Sequence, residues 1–242
     1  MSFSDVRNIL LTSQKSRVWL VGDSSLDNKA CINSDLDVCH HLTNYCGEYT
    51  VINMAIGGST LKERDQLPDQ DEFVRDNMNP DDILIISVGG IDIGQKQDMA
   101  TLTSFAKLIT KSPEKIIKSK SFEKIKRIFN EDTKRYITKL TDRIIPEKIL
   151  VCSPYFPCLY GKGSYDFILS IIGYKNNPKR IHKIIESIYE SATSKITMRG
   201  MNIIPIETYS ALDYTNGKHY VECVTPSILG GEVLAKYLAD SF

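Results

Sequence analysis

The chain has 242 residues, and its 30 lysine and arginine residues are balanced by 30 aspartate and glutamate residues, so its formal net charge at pH 7 is zero. This balance argues against a general nucleic-acid binder, and the hydrophobic fraction of 42% is typical of a globular protein. A chain of this length can bury a full core without disulfides or metals. We expect residues 1–242 to form a single domain, because no repeat, low-complexity tract or linker divides them.

The sequence contains neither a membrane-segment pattern nor a secretion signal. No apolar run approaches the roughly 20 residues that a membrane helix needs, and residues 1–16 lack a cleavage-site pattern. Six scattered cysteines without a Cys-x-x-Cys pair indicate reduced thiols. Cys39-His40-His41 is not expected to bind metal, because adjacent helix positions point about 100° apart. We therefore predict a cytoplasmic protein without an integral membrane segment, a metal or another cofactor.

Five short, β-prone runs predict strands. The third is a continuous apolar run, which is typical of a parallel strand that is buried on both faces. Residues with helical periodicity separate the runs, and Thr225 and Pro226 predict the N-cap and first residue of a final helix that extends to the C-terminus. The alternation predicts a three-layer α/β/α, flavodoxin-like fold with a five-stranded parallel sheet and helices on both faces. The predicted strands are 17–21, 50–54, 82–88, 148–152 and 202–206, and the predicted internal helices are 35–46, 71–78, 122–140 and 181–196.

Two insertions interrupt this pattern. Residues 107–127 contain eight lysine and arginine residues and two glutamates, and they predict a solvated helical face or a docking patch for an anionic surface. Residues 155–173 are rich in aromatic residues and glycine and follow a strand end. They predict either one wall of a pocket or a long irregular loop with its own small hydrophobic cluster.

Ser24 directly follows the first predicted strand, at the edge where open α/β sheets bind their ligands. It is a candidate nucleophile, and its alternative role is that of a turn or helix-cap residue. Glycine pairs follow the next two strands, and their N–H groups could bind a negative oxygen or simply form turns. The candidate pocket residues are Asp23, Gly57, Gly89, Gly90, Ile91, Asp92 and Asn216.

A serine nucleophile needs a base, and the base needs an orienting acceptor. Among the four histidines, only His219 lies in a predicted loop near a carboxylate, that of Asp213. The topology would bring this loop to the same sheet edge as Ser24. Ser24, His219 and Asp213 are therefore the predicted catalytic set.

These blocks resemble the SGNH/GDSL superfamily of serine esterases and lipases. Residues 22–28, 53–58 and 89–92 are similar to its first three blocks in order, and the loop that ends in His219 stands where the last block supplies the acid and base. The resemblance implies a flavodoxin-like sheet, with Ser24 as the nucleophile. It also implies an oxyanion hole formed by the N–H groups of Ser24 and Gly58.

Two positions depart from the family pattern. Ile91 replaces an asparagine that normally donates to the oxyanion, and the loss of one such donor typically lowers the rate about 10²- to 10³-fold. The last block usually reads Asp-x-x-His, but Asn216 occupies its acidic position, and the carboxylate of Asp213 lies six residues before His219.

Three functions follow as hypotheses. The first is a hydrolase that cleaves a carboxylic ester of a small molecule or acylated substrate through an acyl-enzyme intermediate. The second is a catalytically inactive protein that binds a ligand or a protein partner in the same pocket. The third, a flavin or nucleotide binder, is disfavoured because the glycine turns lack a Gly-x-Gly-x-x-Gly or P-loop run. The sequence leaves the substrate and the oligomeric state open.

Overall fold

The computed structural model describes residues 3–161 and 164–242 and contains a five-stranded parallel sheet. The strand order is β2-β1-β3-β4-β5, which is the flavodoxin-like order, with a topological switch point between β1 and β3. The predicted α/β fold class and all five predicted strands are confirmed. The strands are β1 (Arg17–Gly22), β2 (Thr50–Asn53), β3 (Ile83–Ser87), β4 (Lys148–Cys152) and β5 (Ile203–Ile206).

Helices connect the strands and form the outer layers of the fold. α3 packs against the C-terminal helix α12, α4 contacts α9, and α6 contacts α8. Among the helices of the described residues, none is long and apolar enough to cross a membrane. The helices are α1 (Phe3–Thr12), α2 (Lys29–Ile32), α3 (Val38–Tyr45), α4 (Asp69–Asn77), α5 (Gly90–Gly94), α6 (Met99–Ile109), α7 (Pro113–Ile116), α8 (Lys120–Arg127), α9 (Thr133–Leu140), α10 (Ser164–Ile171), α11 (Lys179–Ser191) and α12 (Ile228–Ala239).

The neighbouring strands β1 and β3 are held together by hydrogen bonds at both ends. All five residues of β3 are buried, as the continuous apolar run predicts. At the amino end of the pair, the buried carboxylate of Asp82 accepts hydrogen bonds from the Trp19 indole, at 2.8 Å, and from the Arg17 backbone N–H, at 2.9 Å. At the carboxyl end, the Asp23 N–H donates to the Ser87 carbonyl at 3.0 Å. These bonds set the register that brings the two strand ends together.

The predicted helix at 122–140 is one continuous helical segment with an irregular middle. A π-helical turn, Ile128–Asp132, joins α8 to α9, and the turn buries Ile128 and Phe129. Such turns insert one extra residue per turn and therefore shift the buried face. The shift keeps the buried side chains of both α8 and α9 on the core side. The apolar pattern of the sequence therefore continues through the turn.

The predicted start of the final helix was wrong. Thr225 and Pro226 form the short strand β7 (Thr225–Pro226), which pairs in antiparallel fashion with β6 (Tyr220–Val221). α12 begins after them, and the Ser227 hydroxyl caps it by accepting the Gly230 N–H at 3.0 Å. Serine and threonine are both good N-cap residues, and the strand pairing at Thr225 decided between them.

Both insertions contain helices, as the helical-face interpretation of residues 107–127 predicts and the loop interpretation of residues 155–173 does not. Residues 107–127 lie on α6, α7 and α8, and their basic side chains are exposed or half-buried. Residues 155–173 include α10, so the expectation of a long irregular loop was wrong for that part, whereas residues 162 and 163 lie outside the described residues. Leu169 on this helix is buried.

Candidate active site

Ser24 lies in a tight turn at the carboxyl end of β1. Gly22 has a φ of 133°, and a Cβ at this position would lie 1.9 Å from the Ser87 carbonyl oxygen, so the close approach of β3 requires glycine. The Leu26 and Asp27 N–H groups close the turn on the Asp23 carbonyl, both at 3.1 Å. Ser24 is half-buried, and within the described residues neither its hydroxyl nor its N–H has a hydrogen-bond partner. Both groups are thus available to a ligand.

The Gly57-Gly58 turn is tied to the Ser24 turn through one carbonyl group. The Ile56 N–H donates to the Gly22 carbonyl at 2.8 Å, and the Ser59 hydroxyl donates to the same oxygen at 3.2 Å. The Gly57 N–H is occupied by the Asp27 carboxylate at 2.8 Å. Gly58 has a φ of 72°, and no acceptor for its N–H occurs in the described part of the chain. Of this glycine pair, only Gly58 can therefore offer an N–H to an oxyanion.

The third block forms the start of α5, and it supplies packing rather than a donor. Ile91 is 4% exposed and borders the cavity beside Ser24. The Asp92 carboxylate accepts the Leu61 N–H at 3.0 Å and so anchors the segment that follows the Gly58 turn. Burial raises the pKa of Asp92. Gly89, with a φ of 91°, lies so close to the Phe129 ring that a Cβ there would approach within 2.6 Å.

Asp23 is a buried carboxyl group beneath the Ser24 turn. It is 2% exposed, and it accepts the Ser25 N–H at 3.0 Å. Burial raises its pKa to about 6, and the hydrogen bond from Ser25 and the positive charge of Arg64 limit the rise. A Cβ on Gly90 would lie 3.4 Å from this carboxylate, at van der Waals contact, so the start of α5 packs directly against Asp23.

A buried cation lies behind both turns, and sequence reasoning missed it. Arg64 is 1% exposed, and its guanidinium donates to the Gly22 carbonyl at 2.6 Å and to the Ser59 hydroxyl at 2.8 Å. The same guanidinium forms an ion pair with Asp71, which Tyr136 also contacts by donating to its carboxylate at 2.9 Å. Arg64 therefore links the Ser24 and Gly58 turns. A lone arginine in a polar loop gives no sequence signal for burial.

A cavity of about 390 Å³ opens beside Ser24. Its volume lies at the lower end of the range for small-molecule sites, about 300–1,000 Å³. Asp23, Ser24 and Ser87 line its polar end, and α6, α10 and α11 contribute apolar side chains to the rest. The residues of these helices and of the segments on either side of α10 that border it include Leu102, Phe105, Ile109, Tyr155, Pro157, Tyr165, Leu169, Ile172, Ile181 and Ile185. The alternative interpretation of residues 155–173, one wall of a pocket, fits this arrangement.

The predicted base does not contact Ser24. His219 is half-buried, it does not border the cavity, and no hydrogen bond joins it to Ser24. Its Nδ1 accepts the Asp213 backbone N–H at 3.2 Å. The Asp213 carboxylate instead accepts the Thr215 N–H at 2.9 Å and the Thr215 hydroxyl at 2.6 Å, and these two bonds lower its pKa. Asn216 caps a 3₁₀ turn by accepting the Lys218 N–H at 3.1 Å.

A different part of the same loop reaches the cavity. Val224 borders it, and the Tyr155 hydroxyl donates to the Val224 carbonyl at 2.7 Å. The buried Asn28 amide donates to the Pro226 carbonyl at 3.0 Å, which fixes this segment against the Ser24 block. Sequence reasoning assigned Thr225 and Pro226 to a helix start and did not place this segment at the cavity, although a signal was present. Glu222 lies three residues before Thr225 and so repeats the carboxylate spacing of the last block, with a threonine in the position of the base.

The backbone of this segment is unusual. Glu222 and Cys223 have φ values of 51° and 73°, in the left-handed region that side chains other than glycine rarely adopt. Such conformations cluster at ligand-binding and catalytic sites.

Within the described ranges, no group of three His, Cys, Asp or Glu side chains is arranged to hold a metal ion.

Comparison with known proteins shows similarity in structure rather than in sequence. No protein-family profile matches the chain, and no curated protein matches it. A lipase/acylhydrolase from Enterococcus faecalis superposes with a TM-score of 0.52 at 13% identity, covering 93% of this chain and 94% of that one. A catalytic mutant of Axe2, an acetylxylan esterase from Geobacillus stearothermophilus, superposes with a TM-score of 0.53 at 12% identity, covering 93% of each chain.

These matches span nearly the full length of both proteins, so the similarity covers the whole fold. The resemblance to SGNH hydrolases is therefore confirmed for the fold. The chain has a divergent SGNH-type α/β/α fold.

Proposed function

We propose that the protein is a serine esterase of the SGNH type with slow turnover, and that Ser24 is its nucleophile. The observation that carries the proposal is the unpartnered Ser24 hydroxyl at the polar end of a 390 Å³ cavity. The Ser24 and Gly58 N–H groups, both without acceptors in the described residues, would hold the negative oxygen of the tetrahedral intermediate.

In the proposed reaction, the Ser24 Oγ forms a bond to the ester carbonyl carbon while His219 takes the hydroxyl proton. The C–O bond to the alcohol then breaks, and the alcohol leaves with that proton. Water attacks the acyl-enzyme, its proton passes to His219, and the acid is released as Ser24 recovers its hydroxyl.

Two features make this reaction slow. His219 must first leave the Asp213 N–H before its imidazole can accept a proton from Ser24. Ile91 offers no third donor to the oxyanion. An oxyanion hole and substrate binding without a working base still accelerate acyl transfer about 10³- to 10⁴-fold over water, and we expect activity of that order in the resting arrangement.

Labelling by a fluorophosphonate probe tests the proposal, because the probe reacts only with a nucleophilic serine. We expect a single adduct on Ser24, located by peptide mass spectrometry, and slow release of p-nitrophenol from p-nitrophenyl butyrate. Ser24→Ala abolishes both, whereas Ser210→Ala, an exposed serine bonded to Glu207, leaves both unchanged. Labelling that persists in Ser24→Ala would refute Ser24 as the nucleophile.

The second candidate is an inactive protein that binds its ligand in the same cavity. The specific observation in its favour is the segment 222–226, in which Thr225 stands at the base position of the family spacing and Val224 borders the cavity. This function predicts no probe adduct on Ser24 in a folded protein. The fluorophosphonate experiment therefore decides between the two candidates.

A further inference from the structure

The cavity beside Ser24 has one polar end and long apolar walls. The polar end carries Asp23, Ser24, Ser25 and Ser87, whereas α6, α10 and α11 supply isoleucine, leucine, alanine and phenylalanine side chains. Among the described residues that border it, none is a lysine, an arginine or a histidine, and Asp23 is the one carboxyl group. Gln95, Gln97 and Tyr165 also border the cavity, but the rest of its wall is apolar. A sugar would leave most of its hydroxyls without partners against this wall, and a carboxylate would lack a counter-ion.

We propose that this cavity holds the unbranched alkyl chain of a neutral acyl ester, with the ester carbonyl at Ser24 and the chain between α6, α10 and α11. The inference rests on the proposed function in assigning the ester to Ser24, and it deepens that function by naming the acyl half of the substrate. An acetyl group would reach only the polar end and would leave the apolar walls in contact with water.

Burial of each methylene is worth about 4-fold in affinity, from the transfer free energy of about 0.8 kcal/mol per CH₂. An octanoyl ester has six more methylenes than an acetyl ester, so we expect kcat/KM for p-nitrophenyl octanoate to exceed that for the acetate by about 4 × 10³-fold. A flat or falling series from acetate to octanoate in an active protein would overturn the assignment.

Binding without turnover is measured separately with Ser24→Ala, which keeps the cavity and removes the nucleophile. We expect methyl octanoate to raise its melting temperature and methyl acetate, at the same concentration, to leave it unchanged. The matched pair Ile172→Trp and Ile171→Trp locates the effect: Ile172 borders the cavity, whereas its neighbour Ile171 is 68% exposed and does not.

We expect Ile172→Trp to lose at least 10-fold in affinity for methyl octanoate and Ile171→Trp to retain it. Equal affinity in the two variants, or no thermal shift with methyl octanoate in Ser24→Ala, would refute the acyl-chain site. Binding of methyl octanoate by a wild-type protein that lacks both labelling and hydrolysis would uphold this inference and refute the proposed function.

Discussion

The Asp213 backbone N–H donates a hydrogen bond to His219 Nδ1 at 3.2 Å. A neutral imidazole that accepts at Nδ1 carries its proton on Nε2. A catalytic histidine in a serine triad needs the opposite tautomer, because its Nδ1–H donates to a carboxylate and its Nε2 accepts from the serine. The resting arrangement of His219 is therefore that of an imidazole held away from base catalysis.

The first prediction concerns Asp213. Its carboxylate contacts Thr215 rather than His219, and the imidazole is held by a backbone group that substitution does not remove. We expect Asp213→Asn to change kcat/KM for p-nitrophenyl butyrate by less than 3-fold, against the roughly 10⁴-fold effect in kcat seen when a triad carboxylate is replaced. A loss above 10²-fold would show that the carboxylate orients His219 during turnover.

The second prediction concerns the missing donor. Ile91→Asn places an amide at the cavity wall beside Ser24, and we expect it to raise kcat for p-nitrophenyl butyrate by about 10²-fold. Ile93→Asn is the matched control, because Ile93 also borders the cavity and is similarly buried, at 7% exposed against 4% for Ile91. Both variants lose apolar burial, so comparable melting temperatures show that the two differ in catalysis and not in folding. Equal rates in both would contradict a role for position 91.

The third prediction uses the buried carboxyl group of Asp23. Its pKa is about 6 in the folded protein and 3.8 as the reference value for the unfolded chain. Between these values the folded state binds more protons, so this group makes stability fall as the pH rises from about 4 to about 6. The loss is of order 3 kcal/mol at neutral pH.

Asp23→Asn removes this titration and keeps an oxygen acceptor for the Ser25 N–H. We expect the variant to be more stable than the wild type at pH 7.5 and similar to it near pH 4, as measured by urea unfolding. Glu48→Gln is the control, because it removes an exposed carboxylate rather than a buried one. It should leave the pH dependence of stability unchanged. Parallel pH profiles for wild type and Asp23→Asn would contradict the prediction.

The fourth prediction concerns the Arg64–Asp71 pair. Arg64→Leu leaves the buried Asp71 carboxylate without its cation, and we expect it to lower the free energy of unfolding by about 3–5 kcal/mol. Adding Asp71→Leu removes the orphaned charge, so the double variant should recover part of that loss in urea unfolding. Since Arg64 also donates to the Gly22 carbonyl, the recovered double variant should still label poorly at Ser24. Full labelling in that variant would show that Arg64 contributes to stability alone.

The local signals in the sequence defined most of the fold. The apolar runs at β1 and β3 and the glycines at their carboxyl ends predicted the sheet and the position of Ser24, because strand period and glycine conformation depend on residues close in sequence. They also predicted the Gly58 turn, and within the described residues the N–H of Gly58 has no acceptor. The absence of a side-chain hydrogen-bond donor at Ile91 was equally clear from the sequence, because it depends on residue type alone.

The tertiary structure decided which residues meet Ser24. The sequence favoured His219 because it is a histidine near a carboxylate, yet the β6–β7 pairing brings Val224 to the cavity. The burial of Arg64 and the cavity between α6, α10 and α11 likewise depend on contacts between residues far apart in the chain. Local sequence determines which elements form and where Ser24 stands. Long-range packing determines which buried groups and cavity walls surround Ser24, because those depend on how separate elements approach one another.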